Sequence, residues 1–182
     1  MKGEAADLRA HLRRGGLVAY PTESCYGLGC DPRNLRALKR RIQLKGRDAA
    51  KGLLLIADHI KRLQPFMNPP STADRIRMQR SWPGPVTWVV PASSACPPLL
   101  TGGRPTIAVR VTAHPVAARL CRSLGMALVS TSANKSGQKP AQTAAECRRM
   151  FGAQVRVIAG RIGQRRRPST LIDLATGTIL RP

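Results

Sequence analysis

The chain has 182 residues, with 31 Lys and Arg against 9 Asp and Glu, a net charge of +22, and only 3% aromatic residues. That length suits one domain, expected to span 1–182 and to bury roughly 70% of its unfolded surface. The apolar share of 42% is ordinary, and no window approaches the ~20 apolar residues of a bilayer span, which excludes a membrane helix. The first residues are polar and lack the apolar run of a secretory signal, so the sequence reads as cytoplasmic. Cys25, Cys30, Cys96, Cys121 and Cys147 are odd in number and form no C-x-x-C pair, which argues against a disulfide framework and a zinc knuckle. They are expected as small core residues. The excess of positive charge attracts polyanions, either RNA or a nucleotide. Scarce aromatics argue against reading single strands by base stacking.

Ala5, Leu8 and Leu12 recur at helical spacing before Gly15-Gly16, predicting a first helix with a glycine stop. A short strand follows over 17–20, then a polar loop, Pro21-Thr22-Glu23-Ser24, leading into Tyr26-Gly27-Leu28-Gly29. Leu35, Leu38 and Ile42 predict a second helix closing near Gly46, and the run 53–56 a buried strand. Helices are expected over 58–63 and 71–79, each opened by a capping residue. Trp82-Pro83-Gly84-Pro85 is a rigid turn. Strands are expected over 86–90 and 107–111, with Arg110 facing away from the apolar side of its strand. A helix over 116–124 stops at Gly125, and Leu128-Val129 is a buried strand. Thr143-Ala144-Ala145-Glu146 is a capping box opening a helix that ends near Gly152. A strand over 155–158 and a hairpin pairing 171–174 with 178–180 complete the pattern. The alternation gives an α/β domain with a mixed sheet and flanking helices. The arginine-rich stretch 160–168 reads as a mobile loop.

Phosphate binding needs a device other than a Walker loop or dinucleotide fingerprint, since neither motif is present. Lys45-Gly46-Arg47 puts two cations on one side of an extended loop, where they can grip phosphate oxygens. Ser132 and Asn134, two residues apart after a strand, add neutral hydrogen-bonding groups where α/β sheets bind ligands. A K-x-R triplet is equally the sequence of a solvated surface, and Ser and Asn of turn formers. His11, His59 and His114 have no partner motif and read as surface or helix-cap residues.

Taken in order, Y-P-T-E-S (20–24), L-K-G-R (44–47), S-W-P-G-P-V-T (81–87), A-V-R-V (108–111), H-P (114–115), S-T-S-A-N-K-S-G (130–137), P-S-T-L-I-D (168–173) and I-L-R (179–181) resemble the YrdC/Sua5 family in its short bacterial TsaC type. The resemblance implies a YrdC-like twisted sheet with a basic concave cavity. There ATP, bicarbonate and L-threonine would become threonylcarbamoyl-AMP and pyrophosphate, for N6-threonylcarbamoyladenosine in tRNA. By the same resemblance Lys45, Arg47, Ser132 and Asn134 form the catalytic, ATP-binding tetrad, with Lys51 and Arg181 also on the nucleotide. Thr22, Arg110, Thr112 and Ser169 would take threonine. Mg2+ is expected to accompany ATP, with no dedicated protein metal site. TsaD, TsaB and TsaE proteins are the implied downstream partners, with RNA or tRNA contact through the basic surface. Asp48 stands where relatives carry proline, a departure expected to loosen the phosphate loop. The chain stops just past Arg181, leaving no room for the extra domain of longer Sua5 proteins. The competing readings are a non-catalytic binder of double-stranded RNA or assembling ribosomes, and a paralogue adenylating another carbamoyl compound.

Overall fold

A computed structural model gives the structure of the protein, described for residues 2–46 and 48–182. In chain order, α1 (Lys2–Arg13), β1 (Leu17–Pro21), β2 (Tyr26–Gly29), α2 (Leu35–Lys45) and β3 (Leu54–Ala57) form the first half. Next come α3 (Thr72–Ser81), β4 (Val86–Pro91), α4 (Pro98–Thr101), β5 (Thr106–Val111) and α5 (Pro115–Leu124). Then follow β6 (Leu128–Val129), β7 (Thr131–Ser132), α6 (Ala144–Phe151), β8 (Val155–Val157), β9 (Thr170–Asp173) and β10 (Ile179–Arg181).

The strands make two mixed sheets, β7-β2-β1-β8 and β10-β9-β4-β5-β3-β6. In the larger, β3 and β5 run parallel while β4 pairs antiparallel to β5 and parallel to β9. The sheets meet at Ser130, which separates β6 from β7 and donates its N–H to Leu54 O. The apolar runs of β1, β3 and β6 become strands because they are covered on both faces. One side packs into a core of Leu55, Trp88, Val90, Val109 and Leu100. The other is covered by α1 and α5. In α5, Ala117, Leu120, Cys121 and Leu124 recur at i, i+3, i+4 and i+7, and this stripe meets Leu8 and Leu12 of α1 over Val18, Tyr20 and Ile56. Leu12 is fully buried, so Leu12→Ala is expected to cost about 2–5 kcal/mol.

Caps fix the helix ends that matter to the site. Asn34 Oδ1 accepts from Ala37 N at 2.9 Å to open α2, and Gly46, at φ 62°, closes it straight after Lys45. Thr143 Oγ1 accepts from Glu146 N at 3.1 Å, while Glu146 reaches back to Gln142 N, one residue before the usual capping-box partner.

Three expectations need correction. The segment 58–63 is not an α-helix: two 3-10 turns, Ile60–Arg62 and Gln64–Phe66, replace it. Pro65 follows too closely for an α-helix to continue, and Asp58 pairs with Arg62 and, at 3.5 Å, Arg122 instead of capping. Tyr26–Gly29, which the sequence pattern leaves unassigned, is a strand. Its glycines serve close approach: a Cβ at Gly27 would lie 3.1 Å from Ser130 Oγ, and one at Gly29 would strike Val129 O. The arginine-rich 160–168 segment is fastened to the body: Gly160 O accepts from Tyr26 Oη at 2.6 Å, Gly163 N donates to Thr22 O, and Arg165 N to Glu23 O. Asp48 tightens its loop, since its Oδ1 accepts from Ala50 N at 2.9 Å and caps the 3-10 turn Ala49–Lys51.

Candidate active site

A cavity of about 440 Å3 opens where the two sheets diverge. The turn between β1 and β2 supplies Thr22, Ser24 and Cys25, and the β6–β7 seam supplies Ser130, Thr131 and Ser132. Lys51, Arg104, Arg110 and Arg181 bring positive charge to its wall, against Asp173. Leu53, Leu100, Val89 and Ala108 give it an apolar floor. A hollow of that size, mostly apolar with a few convergent polar groups, is what a small-molecule site requires.

Next to Ser132 on the cavity wall, the cap of α2 delivers Lys45 to β7. The Lys45 ammonium, 5% exposed, donates to Ser132 O (2.7 Å) and Oγ (3.3 Å) and to Asn134 O (3.1 Å) and Oδ1 (2.6 Å). Ser132 Oγ donates to the same Asn134 Oδ1 at 2.7 Å, and Asn134 Nδ2 donates to Lys135 O and Gln138 O. These bonds fix the amide orientation, with its oxygen toward the lysine. All of these acceptors are neutral, and they orient the ammonium. Behind β7, the fully buried Arg41 donates to Thr131 Oγ1 and adds a second cation to the same wall. Lys45, Ser132 and Asn134 are thus brought together, and of the three Ser132 lines the cavity. Arg47, the fourth member, lies outside the described residues.

On the opposite side Arg110 leaves β5 toward the cavity, turned away from the apolar side of its strand as the alternation predicts. Its guanidinium pairs with Glu23 at 3.2 Å. Thr22 is buried, its Oγ1 donating to Cys25 O at 2.7 Å. Ser169 Oγ accepts from Thr87 Oγ1 at 2.8 Å, and Arg181 grips Ser169 O at 2.8 Å. Thr22, Lys51, Arg110, Ser169 and Arg181 therefore share the cavity. Thr112 does not line it: its hydroxyl donates to Glu23 Oε1 at 2.6 Å, behind the wall.

Sequence reasoning gave no site role to Glu23, Cys25 or Arg104. Glu23 carried one signal, as an acid in the β1–β2 turn of a chain with 9 acids in all. Arg104, beside Gly102-Gly103, carried none; the chain reversal after α4 puts it on the cavity, with its guanidinium on Ala50 O at 2.6 Å. Burial pushes the Cys25 thiol up from its ordinary range, and Cys30 and Cys121 to about 12. The four other cysteines are buried, as expected of core residues. His59 caps its 3-10 turn through Nδ1, and His114 precedes α5, its Nε2 3.1 Å from Arg161 O. Burial lowers the His114 pKa. Among the described residues no group of three or more His, Cys, Asp or Glu is placed to hold a metal ion. No helix among them is long and apolar enough to cross a membrane.

The Sua5/YciO/YrdC family model, described as telomere recombination, matches residues 10–182. The chain belongs to this family. A threonylcarbamoyl-AMP synthase of Thiobacillus denitrificans is 74% identical over 180 residues, covering 99% of this chain and 96% of that protein. Another of the same name, from Methylobacillus flagellatus, is 57% identical over 178 residues, 98% of this chain and 99% of that protein. Among solved structures, P. abyssi Sua5 complexed with L-threonine superposes with a TM-score of 0.91 at 32% identity over 100% of this chain. This member of the family spans 54% of the length of that Sua5 chain.

Proposed function

We propose that this protein is an L-threonylcarbamoyladenylate synthase, a nucleotidyltransferase that makes threonylcarbamoyl-AMP and pyrophosphate from L-threonine, bicarbonate and ATP. The observation that carries this reading is the 74% identity, along nearly the whole of both chains, to a protein named for that activity. The cavity suits the chemistry. Threonine's amine attacks bicarbonate and water leaves, giving a carbamate that decays in bulk water. A carbamate oxygen then attacks the α-phosphorus of ATP, and pyrophosphate departs. Holding the unstable carbamate beside the nucleotide turns an improbable three-body encounter into a local step.

In this reading Lys45 and Arg47, with Ser132 and Asn134, take the triphosphate and stabilise charge building on the leaving pyrophosphate. Lys51 and Arg181 complete the nucleotide contacts. Thr22, Arg110 and Ser169 seat the threonine, while Thr112 supports that seat from behind through Glu23. Mg2+ accompanies ATP, and none of the steps above depends on a protein metal cage. The adenylate passes to TsaD, TsaB and TsaE proteins for N6-threonylcarbamoyladenosine formation in tRNA, and the basic surface of this chain meets the RNA in the cytoplasm.

The test is mass spectrometry of the protein incubated with all three substrates, looking for the mixed anhydride, with each substrate omitted in turn. Product formation in the absence of threonine or bicarbonate, or none with all three, overturns the reading. Near-normal product formation by both Lys45→Ala and Arg47→Ala would remove the triphosphate from this side of the cavity.

A further inference from the structure

Glu23 sits between the two chain segments that close the Arg110 side of the cavity. Its Oε1 accepts from Thr112 Oγ1 at 2.6 Å and its Oε2 stands 3.2 Å from Arg110 Nη2. The Arg110 side chain is 6% exposed and that of Glu23 13%, so solvent screens the pair little. Arg110 lines the cavity and Glu23 does not, which puts the carboxylate behind the guanidinium. The direction of the supporting bond is also fixed: Thr112 Oγ1 accepts from His114 N at 3.1 Å, leaving its proton for Glu23. Arg110 Nε and Glu23 Oε2 are both buried without a hydrogen-bond partner, so charge alone holds the pair together and the guanidinium keeps donor capacity for a ligand. The Glu23 backbone belongs to the same arrangement, because its carbonyl accepts from Arg165 N at 3.1 Å while Thr22 O accepts from Gly163 N at 2.9 Å.

We propose that Glu23 is a positioning residue for amino-acid binding: with Thr112 behind it, it holds the Arg110 guanidinium in one orientation and at balanced charge, so that a substrate carboxylate finds a fixed fork. The proposal rests on the reading of Arg110 as part of the threonine seat. A guanidinium without this partner would be free to swing toward the triphosphate, the strongest anion entering the cavity. Paired, it keeps geometry for one carboxylate and loses its pull on a polyanion.

The experiment measures KM for L-threonine and for ATP separately, by pyrophosphate release, in wild type, Glu23→Gln, Thr112→Val, Thr112→Ser and the double variant Glu23→Gln/Thr112→Val. Glu23→Gln is expected to raise KM for threonine roughly 10- to 100-fold, the usual scale for breaking a charge-assisted contact, with KM for ATP unchanged or lower. Thr112→Val should raise KM for threonine by a smaller factor, Thr112→Ser should recover most of that loss, and the double variant should be no worse than Glu23→Gln alone. A threonine KM within twofold of wild type in Glu23→Gln, or equal rises for threonine and ATP, overturns the proposal. If Glu23→Gln does not fold, an unchanged threonine KM in Thr112→Val, or a rise that Thr112→Ser does not recover, overturns it instead. A wild type that makes no adenylate fails the functional reading and takes this proposal with it; an active wild type with an indifferent Glu23→Gln fails the proposal alone.

Discussion

Two buried cations stand on either side of the cavity, Arg110 on its wall and Lys45 behind Ser132, and they are held by opposite means. Lys45 is gripped by neutral carbonyl, hydroxyl and amide oxygens beside Ser132 on the wall. Arg110 is gripped by a carboxylate, so its corner is nearly neutral overall. One arrangement suits an anion of several charges, the other an amino acid that carries one charge of each sign. The difference teaches that position within a pocket says less about a cation's partner than the charge of the groups that orient it.

The comparison breaks most sharply at Lys45. Lys45→Ala is expected to lower turnover by 100-fold or more, from roughly 3 kcal/mol of lost transition-state stabilisation, while circular dichroism stays native. Pyrophosphate release at saturating substrates measures it, and a loss confined to KM for threonine would erase the distinction between the two sides. Next in size is Gly163→Ala. A Cβ there would lie 2.6 Å from Glu23 O, so the 160–168 segment must lift away from the β1–β2 turn. A rise in KM for threonine of about tenfold is expected, with a smaller change for ATP, on the scale of one or two lost hydrogen bonds.

A third effect concerns pH. Burial holds the His114 pKa below its ordinary value of 6.5, so between that lower value and 6.5 the unfolded chain binds a proton that the folded chain refuses. Stability is therefore full above about pH 6.5 and falls as pH drops through that window. Urea unfolding at pH 7.5 and 5.5 should show the loss in wild type, and His114→Phe should show less of it. The smallest expected effect is chemical. Cys25 is half-buried on the cavity wall while Cys30 and Cys121 are buried with thiols near pKa 12. Iodoacetamide at pH 8 should label Cys25 first and slowly, with saturating ATP and threonine slowing it further. Labelling of Cys30 or Cys121 before Cys25 in peptide mass maps would contradict the burial of those two.

These tests also bear on how much could be read from the residues. Strands β3, β4 and β5 and helices α1, α2, α5 and α6 were legible because an apolar run or stripe coincides with a glycine or capping signal at its end. Strand β2 was not, because Gly27 and Gly29 are there for close approach to Ser130 and Val129, a tertiary demand that looks like a loop in sequence. The two-residue strands β6 and β7 show the same limit: only the apolar Leu128-Val129 had a signal, while Thr131-Ser132 pairs with β2 for want of another neighbour. Within the site, Lys45, Ser132 and Asn134 could be named through resemblance, and their convergence needed the fold. Glu23, Arg104 and the change of role for Thr112 depend on which side of a wall a side chain lies, and spacing along the chain carries no such information.

The passage of one extended run, 128–132, from β6 of the larger sheet into β7 of the smaller has a thermal corollary. A molecule touching both Arg110 and Ser132 would staple the two layers across this shared hem, adding contacts that exist only when both are folded. Heating the protein with ATP and L-threonine should therefore delay a single cooperative melt of the whole body rather than protect one layer and leave the other to fray.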